Sequence, residues 1–334
     1  MNVRGINYDV GTEYRRGESS RALWSTSDVV RDLRVIRDEL SCTHVNLYGT
    51  GLGRLHEGAR LAIGEGLGVS LQLRSIDGSR EDMLGCVRDA AGAAAQLNGG
   101  EVTLNVGCES TLFTRGFIPG RTFRSRIRNL LLMLPLLSFV NARLNRHLAE
   151  AVRVARGHFA GPLTYSAGAW ETVDWTPFDL VGVNLYRDRW NERTYTTDLR
   201  ALTRHGKPVV ITEFGCAAFE GAERKGGGGW LIVDFDRSPP VVKPGYRRNE
   251  TVQANLLGEL LDVFVEAGIH GAYVFDFMQP AFPHVADPQA DLDMAAYGLV
   301  KVQPVAPGDT SIVWARKAGF DAIATRYRTL ASRA

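Results

Sequence analysis

The sequence has 334 residues, 45% of them hydrophobic and 23% charged, and its formal net charge is +2. This length fits one large α/β barrel or two ordinary domains, and the apolar content is enough to fill a sizeable core. The near-neutral charge gives no reason to expect nucleic-acid binding.

Short apolar runs alternate with helical patterns along the chain. The predicted strands cover residues 3–10, 43–48, 69–74, 101–106, 163–167, 180–186, 208–212 and 271–277. The predicted helices cover residues 28–40, 80–97, 142–156, 197–205, 250–267 and 315–332. Eight strands, each followed by a helix or a long excursion, predict an α/β fold: a (β/α)8 TIM barrel forming one domain over residues 1–334.

A doubly wound open sheet is the alternative fold. Such a sheet normally has a glycine-rich phosphate-binding turn after an early strand. The nearest segment is Gly49-Thr50-Gly51-Leu52-Gly53, which lacks the spacing of either standard phosphate loop. The barrel is therefore favoured, with long insertions after strands four and seven.

Residues 207–215, Lys-Pro-Val-Val-Ile-Thr-Glu-Phe-Gly, are the most informative segment. A buried parallel strand is apolar throughout, and here it stops at Glu213. Barrel enzymes keep their catalytic groups at this carboxyl end of the strands. The alternative is that Glu213 only caps the helix that follows.

Other polar residues follow or end predicted strands and should gather at the same mouth of the barrel. Glu109 follows strand four, and Tyr186 ends strand six. Of two facing glutamates, one can attack a sugar carbon while the other, protonated, gives its proton to the leaving oxygen. The predicted substrate-binding residues are Asn7, Asp9, Trp170, Asn184, Trp230, Asp276 and His284.

This arrangement resembles the clan of retaining glycoside hydrolases that have a (β/α)8 barrel with glutamates after strands four and seven. The resemblance implies that Glu213 is the nucleophile, that Glu109 is the acid/base, and that Tyr186 orients the nucleophile through a hydrogen bond. The sequence departs from the clan at Cys108, where an Asn usually precedes the acid/base. It also has Phe275 and Phe277 where a strand-eight Trp is usual.

Several alternatives stay open at this level. Glu109 could be a charge at a helix N-terminus, in which case Glu171 after strand five is the rival acid. Tyr186 could be an ordinary core tyrosine. The protein could also be a barrel that binds a glycan or an apolar ligand without hydrolysis, or one that carries out another carboxylate-driven reaction on an apolar substrate.

The segment 111–146 carries seven arginines and no acidic residue, and it contains the apolar run 130–137, interrupted by Pro135. One interpretation is an elongated fourth helix on the barrel. The other is a basic, apolar lid suited to a membrane surface, a lipid-like aglycone or an anionic substrate. We therefore expect a small-molecule or glycan substrate, with peripheral membrane contact through residues 115–140.

The insertion 221–246 contains four consecutive glycines followed by Trp230. Glycines predict a mobile loop that could fold this tryptophan over a sugar face. The histidines show no metal-binding spacing, and His284 is the one expected to reach the mouth. Four scattered cysteines without a CxxC pair indicate neither a zinc site nor a disulfide framework, so no metal and no cofactor are predicted.

The segment from Met1 to Asn7 has no apolar signal sequence. We therefore expect a cytoplasmic protein, or one from which a leader has been removed.

Overall fold

The computed structural model describes residues 1–15 and 17–332 and contains one eight-stranded parallel sheet. Its strands are β1 (Val3–Gly11), β2 (His44–Gly49), β3 (Gly68–Leu73), β4 (Val102–Cys108), β5 (Leu163–Ser166), β6 (Val181–Asn184), β7 (Val209–Phe214) and β8 (Gly271–Val274). Their order is β5-β4-β3-β2-β1-β8-β7-β6, and a parallel bridge between Ala167 and Val183 joins the two outer strands. The sheet therefore closes into the predicted (β/α)8 barrel, and the doubly wound alternative is wrong.

Eight α-helices of eight or more residues, within the described part of the chain, follow the strands or extend their loops. They are α1 (Thr26–Arg34), α2 (Leu52–Gly64), α3 (Arg80–Ala95), α4 (Phe123–Leu130), α5 (Leu137–Arg156), α6 (Tyr195–Leu202), α7 (Glu250–Glu266) and α8 (Ala318–Ala331). One hydrophobic core, from Ile6 to Tyr327, lies within the barrel and between the barrel and these helices.

Two connections differ from the prediction. Helix α2 was missed because its glycine-rich start, with Gly51 as the N-cap, resembles a loop. Within this helix Gly58 faces Leu47 of β2, where an added Cβ would lie 3.3 Å from the leucine side chain. Between β5 and β6 the described residues 167–180 form turns and no helix, so this crossover is shorter than the others.

Asn7 connects four strands of the barrel through side-chain hydrogen bonds. Its buried amide nitrogen donates to the carbonyl oxygens of Thr212 at 3.0 Å and Val274 at 3.3 Å, and its oxygen accepts from Asn46 at 2.6 Å. These bonds join β1 to β2, β7 and β8. Because the amide is fully used in this way, we assign Asn7 a structural role rather than the predicted contact with substrate.

The glycine-rich loop is packed against its neighbours. Residues Gly226–Ile232 form a 3-10 helix, and the backbone N–H of Gly229 donates to the hydroxyl of Tyr297 at 2.7 Å. An added Cβ on Gly229 would lie 2.7 Å from that oxygen. The glycines at these positions therefore allow close packing, and the prediction that they provide mobility is not needed to explain them.

Candidate active site

Glu213 lies at the mouth of the barrel at the end of β7, whose six residues are all buried. Its carboxyl group accepts a hydrogen bond from Nη2 of Arg74 at 2.7 Å and from the hydroxyl of Tyr186 at 3.1 Å. The thiol of Cys108 lies 3.7 Å from the same oxygen that Arg74 contacts. The bond from Tyr186 is the one that the resemblance implied.

Arg74 directly follows β3 and was not among the predicted site residues. Its Nε donates to Gln72 at 2.7 Å, its Nη1 donates to the hydroxyl of Tyr14 at 3.1 Å, and its guanidinium lies 4.1 Å from the ring centre of Tyr48. All three nitrogens are therefore held, and the buried cation is fixed against Glu213. The only sequence signal was a charged residue that ends an apolar run.

Glu109 follows β4 in a left-handed conformation, with φ at 39°, which is uncommon for a residue other than glycine. Its backbone N–H donates to the carbonyl of Ser166 at 2.9 Å. Its side-chain oxygen accepts from the amide of Asn184 at 3.0 Å, and that amide in turn accepts from the hydroxyl of Thr212 at 2.8 Å. Hydrogen bonds from Glu109 through Asn184 therefore reach Thr212, the residue that immediately precedes Glu213 in β7.

The two carboxyl groups have different electrostatic surroundings. Burial raises the pKa of Glu109 to about 8, and the nearby charge of Glu213 adds to that shift. Burial also raises the pKa of Glu213, but Arg74 and Tyr186 both oppose the rise. Within the described part of the chain, Glu109 forms no ion pair. This asymmetry favours a proton on Glu109 and a negative charge on Glu213.

Cys108 occupies the position between these groups. Its sulfur lies 3.4 Å from the amide nitrogen of Asn184, and burial raises the pKa of its thiol well above the usual range. A neutral thiol is a poor nucleophile. The thiol of Cys108 is therefore a poor candidate for a nucleophile.

Glu171, the rival acid, is buried with both oxygens occupied. One oxygen accepts from the backbone N–H and the hydroxyl of Thr111, at 3.0 and 2.6 Å. The other accepts from the hydroxyl of Tyr165 at 2.8 Å and the backbone N–H of Gly168 at 3.0 Å. Trp170 also donates to Thr111, at 2.8 Å. Both residues therefore fix the loop after β5 against the residues that follow Glu109.

Two of the predicted aspartates are also buried. Asp9 accepts from the backbone N–H of Gly11 at 2.9 Å and from the hydroxyl of Thr12 at 3.0 Å, so it shapes the turn after β1. Asp276 accepts from the hydroxyl of Tyr48 at 2.8 Å, and burial raises its pKa well above the usual range. The guanidinium of Arg74 lies over the ring of Tyr48. Asp276 therefore helps to position Arg74 through its hydrogen bond with Tyr48.

His284 contacts Asp291, at 2.9 Å, rather than either glutamate. The ligand atoms of His284, Asp291 and Asp293 lie within 4.8 Å of one another, close enough to hold a metal ion. However, Arg248 contacts both aspartates, at 3.0 and 2.8 Å, and Lys317 lies 2.9 Å from Asp293. These cations already balance the carboxylates, so the cluster is a salt-bridge network.

Helix α4 of the strand-four insertion connects to the site through aromatic contacts. Phe123 packs against Tyr14 with ring centres 5.6 Å apart, and Tyr14 is the residue bonded to Arg74. The next residue, Arg124, lies 4.5 Å from the ring centre of Phe235 in the strand-seven insertion. Phe235 contacts the half-buried Trp230 at 6.0 Å. Helix α4 therefore lies between the loops that follow β1 and β7.

The whole fold is similar to solved glycoside hydrolases. The GH113 β-mannanase of Alicyclobacillus acidocaldarius, in complex with ManMIm, has a TM-score of 0.61 and 16% identity over 98% of this chain and 97% of that chain. A β-glucuronidase from an uncultured Clostridium sp. has a TM-score of 0.55 and 14% identity over 98% of this chain and 50% of that chain.

A third structure, a mutant form of Thermotoga maritima Cel5A in complex with cellobiose, has a TM-score of 0.51 and 14% identity over 89% of this chain and 97% of that chain. No protein-family model matches the sequence, and no curated protein matches it. At these identities the similarity concerns the fold, and the chain has the (β/α)8 barrel that these glycoside hydrolases share.

Proposed function

We propose that the protein is an O-glycosidase that cleaves its substrate by a retaining double displacement. The observation that carries the proposal is the contrast between the surroundings of two neighbouring carboxyl groups. Glu213 is held by Arg74 and Tyr186, at 2.7 and 3.1 Å. Glu109 has a pKa raised to about 8 by burial. Such a pair supplies a charged nucleophile and a protonated acid at the same pH.

In the first step, the carboxylate of Glu213 attacks the anomeric carbon while Glu109 gives its proton to the departing oxygen. In the second step, Glu109 takes a proton from water, the water oxygen bonds to the anomeric carbon, and Glu213 is released. Tyr186 and Arg74 keep Glu213 ionised and oriented before the attack. The amide of Asn184 holds Glu109 in position, at 3.0 Å.

The three structural neighbours suggest which substrates to test first. They are a β-mannanase, a β-glucuronidase and a protein in complex with cellobiose. We propose a β-linked hexoside as the substrate. A panel of nitrophenyl β-mannoside, β-glucoside and β-glucuronide, with Glu213→Gln as the inactive control, tests this. Proton NMR of the first product formed should show the β-anomer.

Two outcomes would contradict the proposal. One is a first product with inverted configuration, and the other is wild-type turnover no faster than that of Glu213→Gln on every substrate. A further test uses Glu109→Ala with azide, because a small anion can attack the glycosyl intermediate without a general base. Recovery of turnover with formation of a β-glycosyl azide would identify Glu109 as the acid/base.

A second candidate function, binding of a glycan without hydrolysis, is favoured by one observation. Cys108 stands where the resembling clan has an Asn, and its sulfur lies 3.4 Å from Asn184. If wild type binds manno-oligosaccharides in calorimetry but leaves them intact, the binding function is supported. Cys108→Asn then shows whether this one residue prevents turnover.

A further inference from the structure

The strand-four insertion exposes an apolar surface, which we name the leucine tip: Leu131, Leu132, Leu134, Leu136 and Phe139. Their exposed fractions are 72%, 77%, 51%, 53% and 60%. Nine large hydrophobic side chains are exposed in the described part of the chain, and these five fall within nine consecutive residues. A concentration of this kind marks an interaction site rather than ordinary surface.

The leucine tip is held rigidly by the helices on both sides of it. Helix α5 buries Val140, Leu144 and Leu148 against the rest of the protein. On the other side, Arg126 of α4 is buried, forms an ion pair with Asp77 and donates to the carbonyl of Phe113 at 3.1 Å. The tip is therefore a preformed projection, because both of its ends are fixed.

By length and composition alone, the segment Phe123–Arg156 could cross a membrane. Two features argue against a span in the folded protein. Pro135 lies in a 3-10 helix, Leu131–Leu136, that interrupts the segment. The part of α5 after this interruption is packed on the barrel through its buried face. Only the leucine tip is free to enter an apolar phase.

The chain segment that carries the tip is basic. No acidic residue occurs between residues 110 and 149. Arg115, Arg121, Arg128 and Arg146 are exposed, and none of them forms an ion pair with any residue in the ranges 1–15 and 17–332. Arg143 lies 5.8 Å from the ring centre of Phe139, at the edge of the tip. Arginines beside exposed leucines match the headgroups and the acyl chains of an anionic bilayer.

We propose that the leucine tip docks the protein onto the surface of an anionic phospholipid bilayer. The leucines and Phe139 enter the boundary between headgroups and acyl chains, and the four exposed arginines contact the phosphates. A second copy of the chain is a poorer partner, because a symmetric contact would bring together two copies of an arginine-rich segment that has no acidic residue. The docking does not depend on the reaction that the barrel catalyses.

Flotation of the purified protein with vesicles tests the proposal. The vesicles are phosphatidylcholine alone or phosphatidylcholine mixed with phosphatidylserine, each at low and high ionic strength. We expect wild type to float with the anionic vesicles at low ionic strength and to be partly released by salt. Leu131→Ser/Leu132→Ser should weaken the partition about tenfold or more, because two side chains no longer enter the apolar phase.

Arg121→Gln/Arg128→Gln should weaken partition by about fivefold for each arginine at low ionic strength, and by less at high ionic strength. The matched control is Val305→Ser/Val313→Ser, which removes side chains that are 43% and 54% exposed far along the chain from the tip. This control should float like wild type. All variants should keep the wild-type melting temperature, because only exposed side chains change.

Three results would overturn the proposal. Wild type could fail to float with anionic vesicles at low ionic strength. The valine control could lose binding as much as the leucine variant does. Light scattering could show a wild-type dimer that Leu131→Ser/Leu132→Ser converts to a monomer, which would assign the tip to self-association.

Discussion

Replacing Glu109 by Gln should make the protein more stable at alkaline pH while it removes the proposed acid/base. The pKa of Glu109 is about 8 in the folded protein, against 4.5 for an ordinary glutamate. Between these values the folded state holds a proton that the unfolded state has lost. The stability from this protonation is fully present below pH 4.5 and is lost as the pH rises through 8.

The size of the effect follows from these two values. The interval from 4.5 to 8, multiplied by about 1.36 kcal/mol per pH unit, gives an upper value of about 5 kcal/mol. Glutamine imitates the protonated acid at every pH, and its oxygen can still accept from Asn184. The variant should therefore match wild type near pH 4.5 and melt up to roughly 10 °C above it beyond pH 8, taking about 2 °C per kcal/mol.

The assay is thermal unfolding followed by circular dichroism across this pH range. The matched control is Glu171→Gln, which should destabilise at every pH. Glu171 accepts four hydrogen bonds, two on each oxygen, and an amide –NH₂ cannot accept the two that face it. If the curves of wild type and Glu109→Gln run parallel from acid to alkaline pH, the raised pKa is wrong, and with it the argument for Glu109 as the acid.

Three other substitutions test the supporting residues. Arg74→Met should cost about 3–5 kcal/mol of stability in urea melts, because Glu213 loses its buried cation. The same loss should raise the pKa of Glu213 and so move the acidic limb of the pH–rate profile to higher pH. An unchanged limb would contradict that role. Tyr186→Phe should lower kcat about tenfold or more but cost only about 1 kcal/mol of stability, because one hydrogen bond is lost; unchanged kcat would make Tyr186 a packing residue. Gly229→Ala should cost about 1–3 kcal/mol in thermal melts, because its Cβ would lie 2.7 Å from Tyr297. Gly227→Ala, with its nearest atom at 3.5 Å, should be tolerated, and equal melting of the two would refute the packing argument.

The sequence was sufficient to predict the barrel because each strand is a short apolar run with a sharp end. The strand predicted at residues 208–212 is β7 to within two residues at its end, and the position of Glu213 follows from it. The hydrogen bond from Tyr186 to Glu213 was expected from the family resemblance and is present at 3.1 Å. These features are local or depend on strand order, which alternating strands and helices define.

Residues that act through distant contacts could not be recognised in this way. Arg74 is separated from Glu213 by 139 positions, and an arginine after a strand looks the same in sequence whether it is buried or solvated. Asn184 was predicted to bind substrate, whereas its amide contacts Glu109, 75 positions away. In the sequence, the glycines of residues 226–229 indicate only that the backbone has unusual conformational freedom there. Their packing against Tyr297 requires the folded structure.

The charge balance of the site predicts a preference for neutral sugars. Among residues 1–15 and 17–332, Arg74 is the only cation paired with either glutamate, and all three of its nitrogens already donate to protein groups. A uronic acid would add a carboxylate beside the ionised Glu213, and repulsion between these two groups would weaken its binding, because Glu109 is protonated at neutral pH and supplies no balancing positive charge. We therefore expect kcat/KM for nitrophenyl β-mannoside or β-glucoside to exceed that for the β-glucuronide by at least about tenfold, which corresponds to about 1.4 kcal/mol. The difference should shrink as the pH falls, because Glu213, whose pKa burial raises, and the uronate both take up protons. A glucuronide hydrolysed as fast as the neutral glycosides at neutral pH would mean that another cation reaches the sugar, and the half-buried Arg124 of α4 would be the first residue to replace.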